Sequence, residues 1–320
     1  MTDTPHRISL RNIELAAKVI DPVFLRSPAY ECEPLNQALG ASLLLKVETM
    51  NPLRSFKGRG ADFFMHQNLA GLAGQTLVCA TAGNWGQAMA YVCRARGWPL
   101  VVYAATTANP MKIERMRAMG AEVRLHGQDV DEAKEEAHRF CRSIGATFVE
   151  DGREVSIAEG AGTIAIELLA SHRFDSLVLP LGNGALLAGA ARWTKAHAPG
   201  VKVIGICAEG ADAMAASWQA HRVIERPEVN TIADGIAVRR PVPEALADME
   251  GLVDEVLLVS DAAILHAMRM LFQSAGLVVE PAGAAGIAAL VEHPALRTQR
   301  VASVLCGSNL TAEQMARWIY

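Results

Sequence analysis

The sequence predicts an α/β protein built on parallel sheets with helices on both faces. Two observations lead there. From about residue 43 onward, apolar runs of strand length alternate with amphipathic segments of helical period. Two of those runs end in glycine-containing clusters just where the next helix begins, and in open α/β sheets ligands bind at such junctions. With 320 residues, 51% hydrophobic and 20% charged, the chain has material for one large or two medium domains around an ample core.

Taken in order, Leu43 to Glu48 reads as a short apolar strand, Asn51-Pro52 forces a turn, and Ser55 is a suitable N-cap for a helix that begins around Lys57. Further strands are expected at Thr76 to Ala80, Leu100 to Ala104, Ala121 to Leu125, Thr147 to Glu150, Ser176 to Leu181, Val201 to Ala208 and Val301 to Leu305. One helix is marked at both ends, with Asn109 as cap, Pro110 at the first position, Met111 to Met119 as body and Gly120 as stop. The next runs from about Asp129 to Gly145, acids early and Arg139 and Arg142 late, as the helix dipole prefers. Arg222 to Pro243 is poor in periodicity and reads as a segment wrapping the surface or edging a cleft.

Composition removes several function classes. The formal net charge is -4 and no basic tract interrupts the mixed charges, which excludes nucleic acid and anionic membranes as expected partners. The start, Met1 to His6, is polar and carries an early acid, and no apolar run reaches the thickness of a bilayer, so the cytoplasm is the expected location. Six scattered cysteines without a Cys-x-x-Cys pair signal neither a zinc site nor a disulfide framework.

Four stretches carry candidate chemistry. In Ser55-Phe56-Lys57-Gly58-Arg59-Gly60-Ala61, the first helical turn holds a lysine where the dipole disfavours a second positive charge, so its amine is easier to keep neutral and available for a carbonyl. In Thr81-Ala82-Gly83-Asn84-Trp85-Gly86-Gln87, small residues let backbone amides approach a carboxylate, and Asn84 offers an amide to a phenolic oxygen. The turn Gly182-Asn183-Gly184-Ala185-Leu186 follows an apolar run and opens a helix, a cradle for a single phosphate that matches neither the P-loop nor the dinucleotide fingerprint. Near the end, Leu305-Cys306-Gly307-Ser308-Asn309 places a thiol and a hydroxyl at a strand terminus, where either can meet a ring nitrogen.

Together and in this order, the four stretches resemble the fold-type II pyridoxal phosphate enzymes, most closely the serine/threonine dehydratase and serine racemase branch. Lys112-Ile113-Glu114, Met119 to Val123, Gly162 to Ala165, Thr231 to Gly235 and Glu280-Pro281-Ala282-Gly283 extend the likeness along nearly the whole chain. The resemblance implies a tryptophan synthase β-like architecture of two three-layer, parallel-sheet domains with the active site in the cleft between them. A large cofactor-binding domain would comprise residues 1–47 and 149–320, and a small mobile one residues 48–148. It implies pyridoxal 5'-phosphate held by Lys57 as a Schiff base, with Phe56 near the ring, Asn84 on the 3-oxygen, Gly182, Asn183, Gly184, Ala185 and Leu186 on the phosphate, Cys306 at the pyridine nitrogen and Glu280 close by. Ser55, Thr81, Ala82, Gly83, Asn84 and Trp85 would receive the substrate. The implied reaction is β-elimination: Lys57 removes the α-proton, the β-hydroxyl leaves, and hydrolysis yields a 2-keto acid and ammonia. A homodimer is implied by the family alone.

Three departures bear on the substrate. The family usually carries histidine at Trp85, glycine at Arg54 and a run of glycines in the phosphate turn. An aromatic and a guanidinium beside the substrate loop point to a bulkier or acidic β-hydroxy amino acid. The racemases' serine corresponds to Ala82, which argues against racemisation, and the acids of the divalent-metal site found in some relatives correspond to Cys207 and Ala213, so no metal is expected. A β-replacement synthase and a silent ligand sensor on this fold are the alternatives. No regulatory module is expected after Asn309.

Overall fold

The structure is a computed structural model describing residues 6–81 and 83–320. Its first sheet takes in β1 (Ala29–Glu31), β2 (Ser42–Val47), β7 (Ser176–Pro180), β8 (Lys202–Ala208), β9 (Glu255–Val259) and β10 (Arg300–Leu305). Four strands make the second: β3 (Leu77–Thr81), β4 (Leu100–Ala104), β5 (Glu122–Leu125) and β6 (Thr147–Phe148). The six-stranded order is β1-β2-β10-β7-β8-β9, parallel throughout except for the antiparallel β1–β2 pair, and the four-stranded order is β5-β4-β3-β6, all parallel. This is the α/β class with two parallel sheets.

The helices are α1 (Leu10–Val19), α2 (Glu33–Leu39), α3 (Lys57–Asn68), α4 (Asn84–Arg96), α5 (Pro110–Ala118), α6 (Val130–Ile144), α7 (Val155–Ser171), α8 (Ala185–His197), α9 (Ala213–Ala220), α10 (Pro243–Met249), α11 (Asp261–Ala275), α12 (Pro281–Glu292) and α13 (Ala312–Trp318). Among the described residues, no helix is long and apolar enough to cross a membrane.

Local chemistry explains the boundaries. Asn109 accepts from the Met111 and Lys112 amides and starts α5, while Asp129 accepts from Glu132 and starts α6, which closes on Gly145 at φ +68°. The expected cap of α3 is displaced by one residue. Phe56 already has helical dihedrals and is the N-cap without a side-chain bond, whereas Ser55 stands one position earlier and its Oγ accepts from the Lys57 amide at 3.3 Å. Two strands escape the apolar pattern: β1 is three residues long and mostly exposed, and β9 is an edge strand with one face only half buried. The strand expected to reach Glu150 pairs only over Thr147–Phe148, because β6 is an edge strand and the chain turns away toward Asp151.

Close backbone contact sets the position of α3. A Cβ on Gly160 of α7 would lie 2.5 Å from the Arg59 carbonyl oxygen of α3, and one on Gly189 of α8 would lie 1.9 Å from the Ala158 carbonyl oxygen of α7. Helices α3, α7 and α8 therefore approach with backbone nearly touching backbone. That brings the first turn of α3 and the first turn of α8, 128 positions apart in the chain by residue number (185 − 57), to the same region of the molecule.

Candidate active site

Lys57 is the first residue of α3, and the chain before it is pinned. The Asn51 side chain donates to the carbonyls of Glu48 (2.9 Å) and Ser55 (3.1 Å) and accepts from the Leu53 amide (2.9 Å). Behind it, the buried Arg59 guanidinium is bonded to both oxygens of Glu48 at 2.8 Å and to Glu167 at 2.6 Å. On this base the Lys57 Nζ stands 4.7 Å from the centroid of the Phe56 ring and is ion-paired with the Asp151 carboxylate. The helix dipole is therefore not the only field at the amine, as the sequence alone suggests; Asp151 supplies an opposing one.

The loop after β3 folds on Thr81, whose Oγ1 accepts from the amides of Gly83 (2.8 Å) and Gly86 (3.2 Å). Gly83 has φ +151°, and a Cβ there would overlap the Lys112 side chain at 2.1 Å, so the position requires glycine. Asn84 opens α4, donates from Nδ2 to Glu280 Oε1 at 2.5 Å and accepts at Oδ1 from Asn309 Nδ2 at 2.9 Å. One Nδ2 hydrogen remains for a ligand oxygen. Trp85 is 4% exposed and its buried Nε1 has no partner among the described residues. Ala82, the position set against racemisation, lies outside the described residues.

The turn 182–184 is a glycine cradle. Gly184 has φ +88° and caps α8, and a Cβ on Gly182 would meet the Gly235 carbonyl oxygen at 2.9 Å. A Cβ on Gly152 would press on the Asn183 carbonyl oxygen at 2.3 Å. Three loops thus meet around the first turn of α8, where the first helical bond is Ala188 N–H to the Gly184 carbonyl and the amides of Ala185 to Leu187, without a backbone partner among the described residues, can hold an anion.

Beside Phe56, whose amide donates to the Cys306 carbonyl at 3.1 Å, Cys306 is buried, and burial, reinforced by the nearby Glu280, pushes its thiol well above the ordinary range, so it is a neutral group. Glu280 is itself pushed up by burial, against the pull of Lys112, and it accepts from the Asn309 amide at 3.1 Å. Lys112 is buried, which alone would lower it, but Asp234 at 2.7 Å and Glu280 at 3.6 Å outweigh that and raise it.

Of the residues singled out in the sequence, Phe56, Lys57, Thr81, Gly83, Asn84, Trp85, Asn183, Glu280 and Cys306 line one cleft. Ser55, Gly182, Gly184, Ala185 and Leu186 do not line it: Ser55 is buried with its hydroxyl engaged by the Lys57 amide, and the others build the turn beneath Asn183. Arg54 does not line it either and is exposed, so its guanidinium is not available to pair an acidic substituent there. The cleft adds residues that sequence reasoning passed over, above all Asp151, Lys112 and Asp234. Lys112 and Asp234 stand inside stretches quoted for the family likeness, a signal that could have found them; no local pattern marks Asp151.

These residues fit pyridoxal phosphate. A lysine amine stands beside a phenyl ring, a helix start is ringed by glycines too crowded for side chains, and a neutral thiol lines the same cleft. Of the three lysines lining the cleft, Lys112 pairs with two acids, Asp234 and Glu280, and Lys134 with two, Asp131 and Glu150, whereas among the described residues Lys57 pairs with one acid, Asp151, so Lys57 is the least committed.

Known proteins point the same way. The biosynthetic L-threonine dehydratase of Escherichia coli (strain K12) is 33% identical over 299 residues, 89% of this chain and 58% of that protein. The L-threonine ammonia-lyase of Thermotoga maritima is 32% identical over 320 residues, 98% of this chain and 78% of that protein. Among solved structures, maize serine racemase superposes with a TM-score of 0.90 at 25% identity, covering 98% of this chain and 97% of that one. The chain spans little more than half the length of the E. coli relative. With the family model described as "pyridoxal-phosphate dependent enzyme" matching residues 20–307, the chain belongs to the pyridoxal-phosphate-dependent enzymes, in their fold-type II form.

Proposed function

We propose that this protein is a pyridoxal-phosphate-dependent ammonia-lyase that removes water and ammonia from a β-hydroxy amino acid of the serine or threonine type, leaving a 2-keto acid. The observation that carries this reading is the convergence of Lys57, Asn84 and Cys306, from three separate elements, on one cleft whose least committed lysine is Lys57. The names of the E. coli and T. maritima relatives, a threonine dehydratase and a threonine ammonia-lyase, support it.

Bound pyridoxal phosphate supplies an electron sink for the pair left at the substrate Cα. The protein's part is to bind, orient and move protons. Lys57 Nζ would hold the cofactor and, as a freed amine, would take the α-proton. Asn84 Nδ2 would bond the 3-oxygen, Phe56 would pack on the ring and the turn 182–186 would hold the phosphate with backbone amides, while Glu280 accepts from Asn84 Nδ2 and so fixes that side chain. Cys306 would meet the ring nitrogen as a neutral thiol, which would not keep that nitrogen protonated as a carboxylate does and would so favour prompt loss of a leaving group. The loop of Thr81, Gly83, Asn84 and Trp85, braced by the Thr81 hydroxyl, receives the substrate carboxylate, and Trp85 excludes water. Closure of residues 48–148 on the rest, a homodimer and a cytoplasmic location belong to the same reading, supported by the family likeness.

The test is ammonia release from a panel of β-hydroxy amino acids by wild type and Lys57→Ala. Release should fall by at least about 100-fold in the variant, the lower range for loss of a positioned general base. Full activity without Lys57, or no release from cofactor-loaded wild type, overturns the reading.

A further inference from the structure

Asp151 is a carboxylate that the scheme above leaves unused, and it touches the reactive amine. Its side chain is 6% exposed, one oxygen is ion-paired with Lys57 Nζ, and the other, Oδ1, is buried with no hydrogen-bond partner among the described residues. Both residues line the cleft, and they come from positions 94 apart in the chain. A buried carboxylate with half its acceptor capacity empty is expensive to keep unless something arrives to use it. Its position is fixed from behind: Gly152 packs on the Asn183 carbonyl, and the preceding Glu150 accepts from Lys134 at 2.8 Å.

The same Lys57–Asp151 pairing would be available once Lys57 had released the cofactor to the substrate and had to handle the α-proton. Loss of a hydroxyl needs an acid as well as a base, because hydroxide is a poor leaving group. Resting on the lyase reading, we propose that Lys57 and Asp151 form a proton relay in which Asp151 is the general acid for the departing β-hydroxyl. Lys57 Nζ takes the α-proton and passes it to Asp151 Oδ2. A half-turn of the carboxyl group exchanges its oxygens and presents the proton from the side of Oδ1. As the Cβ–O bond breaks, its electron pair leaves on oxygen, which takes that proton and departs as water. The pair from the Cα–H bond becomes the Cα–Cβ double bond. Asp151 ends as a carboxylate and Lys57 as a neutral amine, so no outside acid is consumed.

The relay is tested by leaving groups. Asp151→Asn should lower turnover of the best β-hydroxy amino acid by about 100-fold or more, while turnover of β-chloro-L-alanine, whose chloride leaves without a proton, changes less than about tenfold. Equal losses on both substrates overturn the acid role, and so does no loss on either. A second readout uses cofactor-free protein: trinitrobenzenesulfonate should label Lys57 faster in Asp151→Asn than in wild type, because the ion pair no longer covers the amine, with the site identified by peptide mass. An unchanged labelling rate overturns the Lys57–Asp151 pair itself. If Asp151→Asn does not fold, Asp151→Glu keeps an acid and should retain the wild-type ratio of the two substrates; a ratio shifted toward β-chloro-L-alanine counts against the proposal. Failure of the underlying lyase reading looks different, since wild type itself would then release no ammonia from any hydroxy amino acid.

Discussion

Arg54 lies in the left-handed region at φ +51°, where a side chain is strained and glycine is not. The family likeness puts glycine at this position. Here the exposed guanidinium has no acidic partner among the described residues and stands near Arg115, which burial and then Arg54 itself lower from its ordinary value. Arg54→Gly should therefore stabilise the fold by up to about 1 kcal/mol, relief of the backbone being partly offset by the greater freedom of glycine in the unfolded chain. Urea denaturation checks it, and a loss of stability would show that the arginine side chain makes a contribution its exposure does not suggest. Residues of this kind divide cleanly by legibility. Lys57 could be read from the sequence because a turn, a small-residue run and a helix start all fall within ten positions of it. Asp151 could not, because it follows the short β6 in a stretch without periodicity and acquires meaning only when α3 is packed beside it.

At the scale of elements, the caps and glycines of α5 and α6 made those helices readable almost to the residue, since capping is a local bond between a side chain and the next turn. The packing of α3, α7 and α8 was not readable, although its glycines stand in plain view. A glycine inside a helical pattern can mark a weak point or a close crossing, and only the structure shows Gly160 against the Arg59 carbonyl. Gly160→Ala should force α3 and α7 apart, destabilising the protein by about 1–3 kcal/mol and weakening pyridoxal phosphate binding together with stability, because the turn that carries Lys57 moves with α3. Thermal denaturation and cofactor titration check this; unchanged cofactor affinity in a destabilised variant would separate the crossing from the site.

At the scale of the whole molecule, Lys112 joins the two sheets. It rises from α5, beside the four-stranded sheet, and ends on Asp234 and Glu280 from the other side of the cleft, with Gly83 pressed against its stem. Lys112→Met keeps the stem and removes the charge, leaving the fully buried Glu280 without its cation while Asp234, 38% exposed, can turn to water. Breaking such a pair costs about 3–5 kcal/mol, and adding Glu280→Gln should recover part of it. Chemical denaturation of the single and double variants decides the matter, and a single variant within about 1 kcal/mol of wild type would show that the bridge is not a structural one. The alternating pattern made the α/β class readable, but not which strands neighbour which, because β2 and β10 have no signal in common beyond being apolar.

That pairing of β2 with β10 has a consequence for how the protein is made. The four-stranded sheet closes within residues 77–148, so all its partners have left the ribosome early. The six-stranded sheet has a gap at its centre, between β2 and β7, until residues 300–305 are synthesised. Translation proceeds at about 5–20 residues per second, so the chain spends many seconds with two open apolar strand edges. Whatever guards those edges against other chains in that interval belongs to the biology of this protein as much as the finished cleft does.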